Sequence, residues 1–102
     1  MKESLQSRFN ADFLEIGTEV LRAIAHPIRL TIIDLLYKNE KLSVTEIYES
    51  LNIEQAIASH HLRILKDKKV VAARREGKKS YYYLRSTDFH KIITALEDLF
   101  MK

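Results

Sequence analysis

The chain has 102 residues, 46% hydrophobic and 30% charged, with two glycines, one proline and no cysteine. That length leaves room for one domain, and the missing cysteine excludes disulfides, thiolate metal sites and a cysteine nucleophile. The net charge of +3 is unevenly placed: His60 to Arg85 holds nine Lys and Arg against two acids, or +7, and the remainder eight against twelve, or −4, a split that suits one half facing a polyanion.

The chain opens on a polar stretch, Met1 to Arg8, and no apolar run exceeds a few residues. Neither a signal peptide nor a membrane span is expected, and the location is read as cytoplasmic. From Asp12 to Ala25, apolar Phe13, Ile16, Val20, Leu21 and Ile24 recur at helical spacing. His26-Pro27 interrupts them, because the residue before proline is pushed out of the α region. Pro27 then suits the first turn of a second helix, where its missing N–H costs nothing. That helix runs to about Lys38 with Ile28, Ile32, Leu35 and Leu36 turned inward, and Asn39 to Leu42 reads as a polar connection.

Ser43-Val44-Thr45-Glu46 has the capping-box spacing and starts a short helix ending near Leu51. Asn52 is placed to cap the next helix, which runs to about Lys68. A short helix, a tight turn and a longer helix make a helix-turn-helix. Val70 to Arg75 and Lys79 to Leu84 are β-favouring runs around Glu76-Gly77-Lys78. They predict a hairpin with Tyr81 and Tyr83 on one face and Tyr82 and Leu84 on the other. Ser86 or Thr87 caps a last helix in which Phe89, Ile92, Ile93, Leu96, Leu99 and Phe100 are apolar. The expected fold is mainly α with a small β-hairpin, ordered as four helices, two strands and a fifth helix. This is a winged helix-turn-helix, with residues 1–102 forming a single domain.

On a helical wheel of residues 54–68, Ile57, Ala58, His61, Leu62, Ile64 and Leu65 take the inward arc. Ala56, Ser59, His60, Arg63 and Asp67 take the outward arc, with Gln55 near the N-terminal end. His61 is therefore expected to be packed and hydrogen-bonded, and His60 exposed. An outward face of Gln, Ala, Ser, His and Arg suits a major groove: the side chains allow close approach and present donors and acceptors to base edges. An ordinary solvated face carries more Glu and Lys. Arg74, Arg75, Lys78 and Lys79 cluster around the glycine turn, so the hairpin can lie along phosphates or reach a minor groove. The bland alternative is an edge hairpin kept soluble by lysines. Helix-turn-helix plus basic hairpin is more specific than either piece and points to double-stranded DNA.

Over roughly residues 19 to 100 the sequence resembles the ArsR/SmtB family of bacterial winged-helix repressors. The resemblance rests on "LRAIAHPIRLTIIDLL", "SHHLRIL" and "RREGKKSYYYL" in that order. It implies a homodimer, paired through the first and last helices, that represses transcription at a palindromic operator. It also implies that Gln55, Ala56, Ser59 and His60 face bases; Ala56 departs from the small polar residue usual there. The terminal helices carry Phe13, Ile16, Val20, Phe89, Ile93, Leu96 and Phe100. That exceeds what one small core needs and marks the expected dimer interface.

Many members of that family release DNA on binding a metal. Where one metal site has a Cys-x-Cys pair, this chain has Ser43 and Thr45, and hydroxyls are poor soft-metal ligands. The other site begins with Asp-x-His, matched by Asp88-Phe89-His90, but its second half is missing. Asp88 and His90 are thus weak metal candidates, since two ligands rarely suffice; no metal or cofactor is expected, and the effector is left unassigned between a non-metal trigger and none. A winged-helix protein-interaction module is the alternative function, but such modules often lose the basic face. No nucleophile constellation, acid–base pair or phosphate-cradling loop suggests an enzyme.

Overall fold

In a computed structural model the described residues are 6–101; the first five residues of the polar N-terminal stretch and Lys102 lie outside them. Five helices are described: α1 (Ala11–Ile24), α2 (Pro27–Lys38), α3 (Val44–Leu51), α4 (Gln55–Asp67) and α5 (His90–Phe100). Between them run three strands, β1 (Leu42–Ser43), β2 (Val71–Glu76) and β3 (Lys79–Leu84), and a 3-10 turn at Thr87–Phe89. The sheet is antiparallel in the order β1-β3-β2. The expected winged helix-turn-helix is observed, with one strand more than the sequence suggested. Two residues are too few to show a strand period, so the sequence reads Leu42 as the end of a connection and Ser43 as a helix cap.

Each helix begins where local chemistry allows. Asn10 caps α1, its side chain accepting from the Phe13 amide at 2.7 Å. His26 caps α2 through Nδ1, which accepts from the Ile28 amide at 3.1 Å, with Pro27 in the first turn. The capping box at α3 is complete: Ser43 Oγ accepts from the Glu46 amide at 3.2 Å, and Glu46 Oε1 accepts from the Ser43 amide at 2.9 Å. These bonds hold the Glu46 carboxyl below its usual range. Asn52 corrects the sequence reading. It ends α3 in the left-handed region, φ 54°, and the residue before α4 is Glu54, which makes no side-chain cap. Asn tolerates that conformation, so the same residue that suits a helix start here makes the turn.

The core gathers Ile24, Ile32, Ile33, Leu36, Ile47, Leu62, Leu65, Val70 and Val71. Burying each of the larger side chains contributes roughly 1.5–3 kcal/mol, which locks α4 against α2, α3 and β2. Ile32 and Leu36 are inward as read, and Ile33 joins them, while Ile28 and Leu35 pack at the margin. Tyr82 and Leu84, which share one face of β3 by strand alternation, close the core. Val20, Phe89, Ile92 and Ile93 also pack on it. Of the expected dimer residues, Val20, Phe89 and Ile93 therefore pack on the protomer's own core. Ser86 caps the 3-10 turn, accepting from the Asp88 amide at 3.1 Å.

Candidate nucleic-acid interface

α4 has two unlike faces. Ala58, His61, Leu62 and Leu65 are buried, and Ala58 lets the helix approach its neighbours closely. Gln55, Ala56, His60, Arg63 and Asp67 are exposed, and Ser59 is half-buried. Ile57 departs from the inward arc: it is 37% exposed, and Ile64 is half-buried. The two lie seven positions apart, along the flank of the helix rather than at its buried centre, which explains their partial exposure. His60 stands edge-on to His61 with ring centroids 5.0 Å apart. Among the described residues Arg63 makes no ion pair. The outward face thus offers an amide, an imidazole and a guanidinium held by a rigid helix, which is what readout of base edges requires.

The wing is a hairpin of two six-residue strands closed by Gly77-Lys78, with Glu76 opposite Lys79. Gly77 sits at φ 64° in the first turn position, where only glycine is unstrained. Strand alternation sends Arg74 and Arg75 to opposite faces. Arg74 pairs across with Tyr81, and Arg75 with Ser80. The four cations read as one cluster are therefore divided. Arg74 is tied to Glu76, NH2 to Oε2 at 3.2 Å, and its guanidinium lies 5.9 Å from the Tyr83 ring centroid. Glu76 also accepts from Lys41 Nζ through both carboxylate oxygens at 2.7 Å. The Lys41 bond, then Arg74, holds the Glu76 carboxyl below its usual range. Lys41 also lies 5.0 Å from the Tyr81 ring centroid. Arg75 and Lys78 make no ion pair among the described residues. They, with Lys79, are the wing cations left without an ion pair among the described residues, whereas Arg74 is exposed but paired. Lys41 was missed by sequence reading, since it lies 35 positions from Glu76.

Asp88 and His90 do not converge. Asp88 pairs with Lys91 at 3.0 Å, while His90 Nε2 meets Asp34 Oδ1 at 2.8 Å. The His90 ring stacks on Tyr37 at 3.8 Å. The hydrogen bond with His90, then Lys38, lowers the Asp34 pKa against the opposing effect of burial. No group of three His, Cys, Asp or Glu able to hold a metal occurs among the described residues. Ser43 is occupied as a helix cap and Thr45 is exposed.

Away from α4, the terminal helices leave apolar side chains uncovered. On α1 these are Phe13, Ile16 and Leu21; on α5 they are Leu96, Leu99 and Phe100, the last two 72% and 77% exposed. An open groove of about 470 Å³ between α2 and α5 is lined by Leu30, Ile93, Leu96 and Phe100, with Asp34 at its edge. Leu21 and Leu99 add to the expected dimer face.

The family model for bacterial regulatory proteins of the arsR family matches residues 26–72, from the cap of α2 to the start of the wing. The transcriptional repressor PagR of Bacillus anthracis is 36% identical over 86 residues, 84% of this chain and 86% of that protein. Its crystal structure superposes with a TM-score of 0.77, covering 85% of this chain and 99% of that one. NolR from Sinorhizobium fredii is 30% identical with a TM-score of 0.80 over 96% of this chain and 97% of that one. A homodimeric winged helix-turn-helix DNA-binding domain from Mycobacterium bovis, solved by NMR in solution, is 29% identical. Its TM-score is 0.79, over 98% of this chain and 94% of that one. Sequence and fold agree: the chain belongs to the arsR family of bacterial regulatory proteins and is a winged helix-turn-helix transcriptional regulator.

Proposed function

We propose that this regulator is a homodimeric repressor that reads a palindromic operator with α4 in the major groove. The observation that carries this reading is the division of α4: one face is locked into the core, and the other is exposed and short in acids. Gln55, Ala56, Ser59, His60 and Arg63 meet base edges or the groove wall. Gln suits adenine, Arg suits guanine, and Ala56 packs on a thymine methyl. Arg74, Arg75, Lys78 and Lys79 meet phosphates, with Arg74 first leaving Glu76 or bridging to DNA beside it. Two copies joined through α1 and α5 set their α4 helices about 34 Å apart, one helical turn of DNA. Phe13, Ile16, Val20, Phe89, Ile93, Leu96 and Phe100 supply that joint. PagR's description as a repressor and the homodimeric state of the M. bovis domain support both halves of the reading.

We take residues 1–102 to work as one DNA-binding unit in the cytoplasm, with no catalytic role. No helix among the described residues is long and apolar enough to cross a membrane. The test is fluorescence anisotropy on a labelled duplex from the gene's own upstream region, beside a scrambled duplex, over a salt series. Tight, selective binding with a steep salt slope is expected, because phosphate contacts release counterions. Equal weak binding to every duplex, including fragments selected from a random pool, would sink the reading. Adding zinc is expected to leave binding unchanged.

A further inference from the structure

Two buried side-chain nitrogens among the described residues find no hydrogen-bond partner, His61 Nδ1 and Arg29 Nε. Buried polar groups are nearly always paired, so an orphan asks for an explanation. Both lie where α2 supports α4. His61 is 7% exposed, and its ring lies 4.2 Å from that of His26 and 5.0 Å from that of His60. Arg29 is anchored, NH1 donating to the Ala23 carbonyl at 3.1 Å. His26 is anchored as well, its Nδ1 occupied as the acceptor that caps α2.

The charged groups acting on His61 are all cations or groups that become cations. They are His26 and Arg29 on α2 and His60 on its own helix. The other elements packed on α4 bring it no carboxylate. Glu19 of α1 is bound to Lys68 at 3.0 Å, and Arg22 of α1 lines the same groove as Arg29. Glu46 of α3 is turned back onto Ser43, and Glu49 of α3 is exposed. The part of β2 nearest the core is Val71-Ala72-Ala73. A buried imidazolium here would meet only repulsion and desolvation.

We propose that neutral His61 is the condition for seating the recognition helix on α2, and that acid, by protonating it, unseats α4 and releases DNA. The device extends the DNA-binding reading only in its consequence; the seating itself is a property of the fold. Burial first, then His26, Arg29 and His60, lowers the His61 pKa. The unfolded chain therefore takes up the proton more readily than the folded one. The stability that neutral His61 contributes is in full above the ordinary imidazole value and is lost as pH falls from there through the lowered one.

The full chain is unfolded thermally at about pH 7.5 and about pH 5.5, at constant ionic strength, as wild type, His61→Leu and His60→Ala. The wild type and His60→Ala are expected to lose roughly 4–8 °C on acidification, and His61→Leu to lose little of it. An equal drop in His61→Leu overturns the proposal. Imidazole NMR titration of the wild type decides the matter even if His61→Leu fails to fold. His61 must titrate below the free imidazole value, and titration at or above it overturns the proposal. In the anisotropy assay, affinity for the upstream duplex should fall roughly tenfold or more over the same interval. Affinity that holds or rises overturns the claim that unseating releases DNA. Absence of binding at both pH values counts against the DNA-binding reading alone, because the unfolding and NMR arms need no DNA.

Discussion

α4 and α5 are both amphipathic, yet their apolar stripes meet different fates. α4 buries four residues against α2, α3 and the wing, whereas α5 has no fully buried residue and leaves Leu99 and Phe100 mostly in solvent. Only the first turn and a half of α5, through Ile92 and Ile93, rests on the core. α1 behaves like α5, with Phe13 and Ile16 uncovered and Ile24 buried at its far end. The lesson is that an apolar stripe marks a face to be covered without saying by what. In the middle of the chain the cover is the protomer itself; at its two ends, by our reading, it is a second copy.

Substitutions can break that contrast. Leu65→Ala, in the buried stripe of α4, should destabilise the protomer by about 2–5 kcal/mol. Chemical denaturation at two protein concentrations checks this, since a core loss should be the same at both. The pair His60→Ala and Arg63→Ala should leave the unfolding midpoint nearly untouched and weaken operator binding by about 2–5 kcal/mol in total. If stability falls instead, the outward face of α4 is structural. Phe100→Ala on α5 should weaken self-association by about 2 kcal/mol or more if Phe100 is an anchor of the interface. It should also make the melting temperature depend more steeply on concentration. Sedimentation equilibrium showing an unchanged dimer would remove Phe100 from the joint. Truncation at residue 86 is a poorer experiment, because it also strips Phe89, Ile92 and Ile93 from the core.

Two smaller effects sharpen the comparison by testing the ends of the helices that carry it. Ser43→Ala should cost about 0.5–2 kcal/mol by opening the capping box of α3, the helix that supports α4. Lys69 sits at φ 62° just past the end of α4, where glycine is usual. Lys69→Gly should raise stability by up to about 1 kcal/mol, unless the lost side chain was holding DNA or a neighbouring group. Thermal melts of the two variants settle both signs.

Much of the architecture was legible because its causes are local. Pro27 fixed the start of α2, the Ser43/Glu46 spacing the start of α3, and Gly77 the turn of the wing. The alternation of Tyr81 to Leu84 told which tyrosines would share a face, and the packing chose the face of Tyr82 for the core. The exposed face of α4 could be drawn on a wheel for the same reason: in a helix, position alone sets direction. Ile57 strayed from that drawing because a wheel does not say how wide a buried arc the neighbours will cover.

The remaining features join residues far apart in the chain. Leu42 and Ser43 become a strand only because Tyr82 and Tyr81 lie beside them. Lys41 finds Glu76 and neutralises the one acid of the wing. Asp34 takes His90 away from any site shared with Asp88, across 56 positions. His61 was expected to be hydrogen-bonded, and instead lies with an unpartnered Nδ1 between His26 and His60. A sequence by itself determines periods, caps and turns, since these depend on neighbours within a few residues. Which distant side chain meets which, and therefore which charges cancel and which nitrogen is left bare, only the packing of one element on another decides.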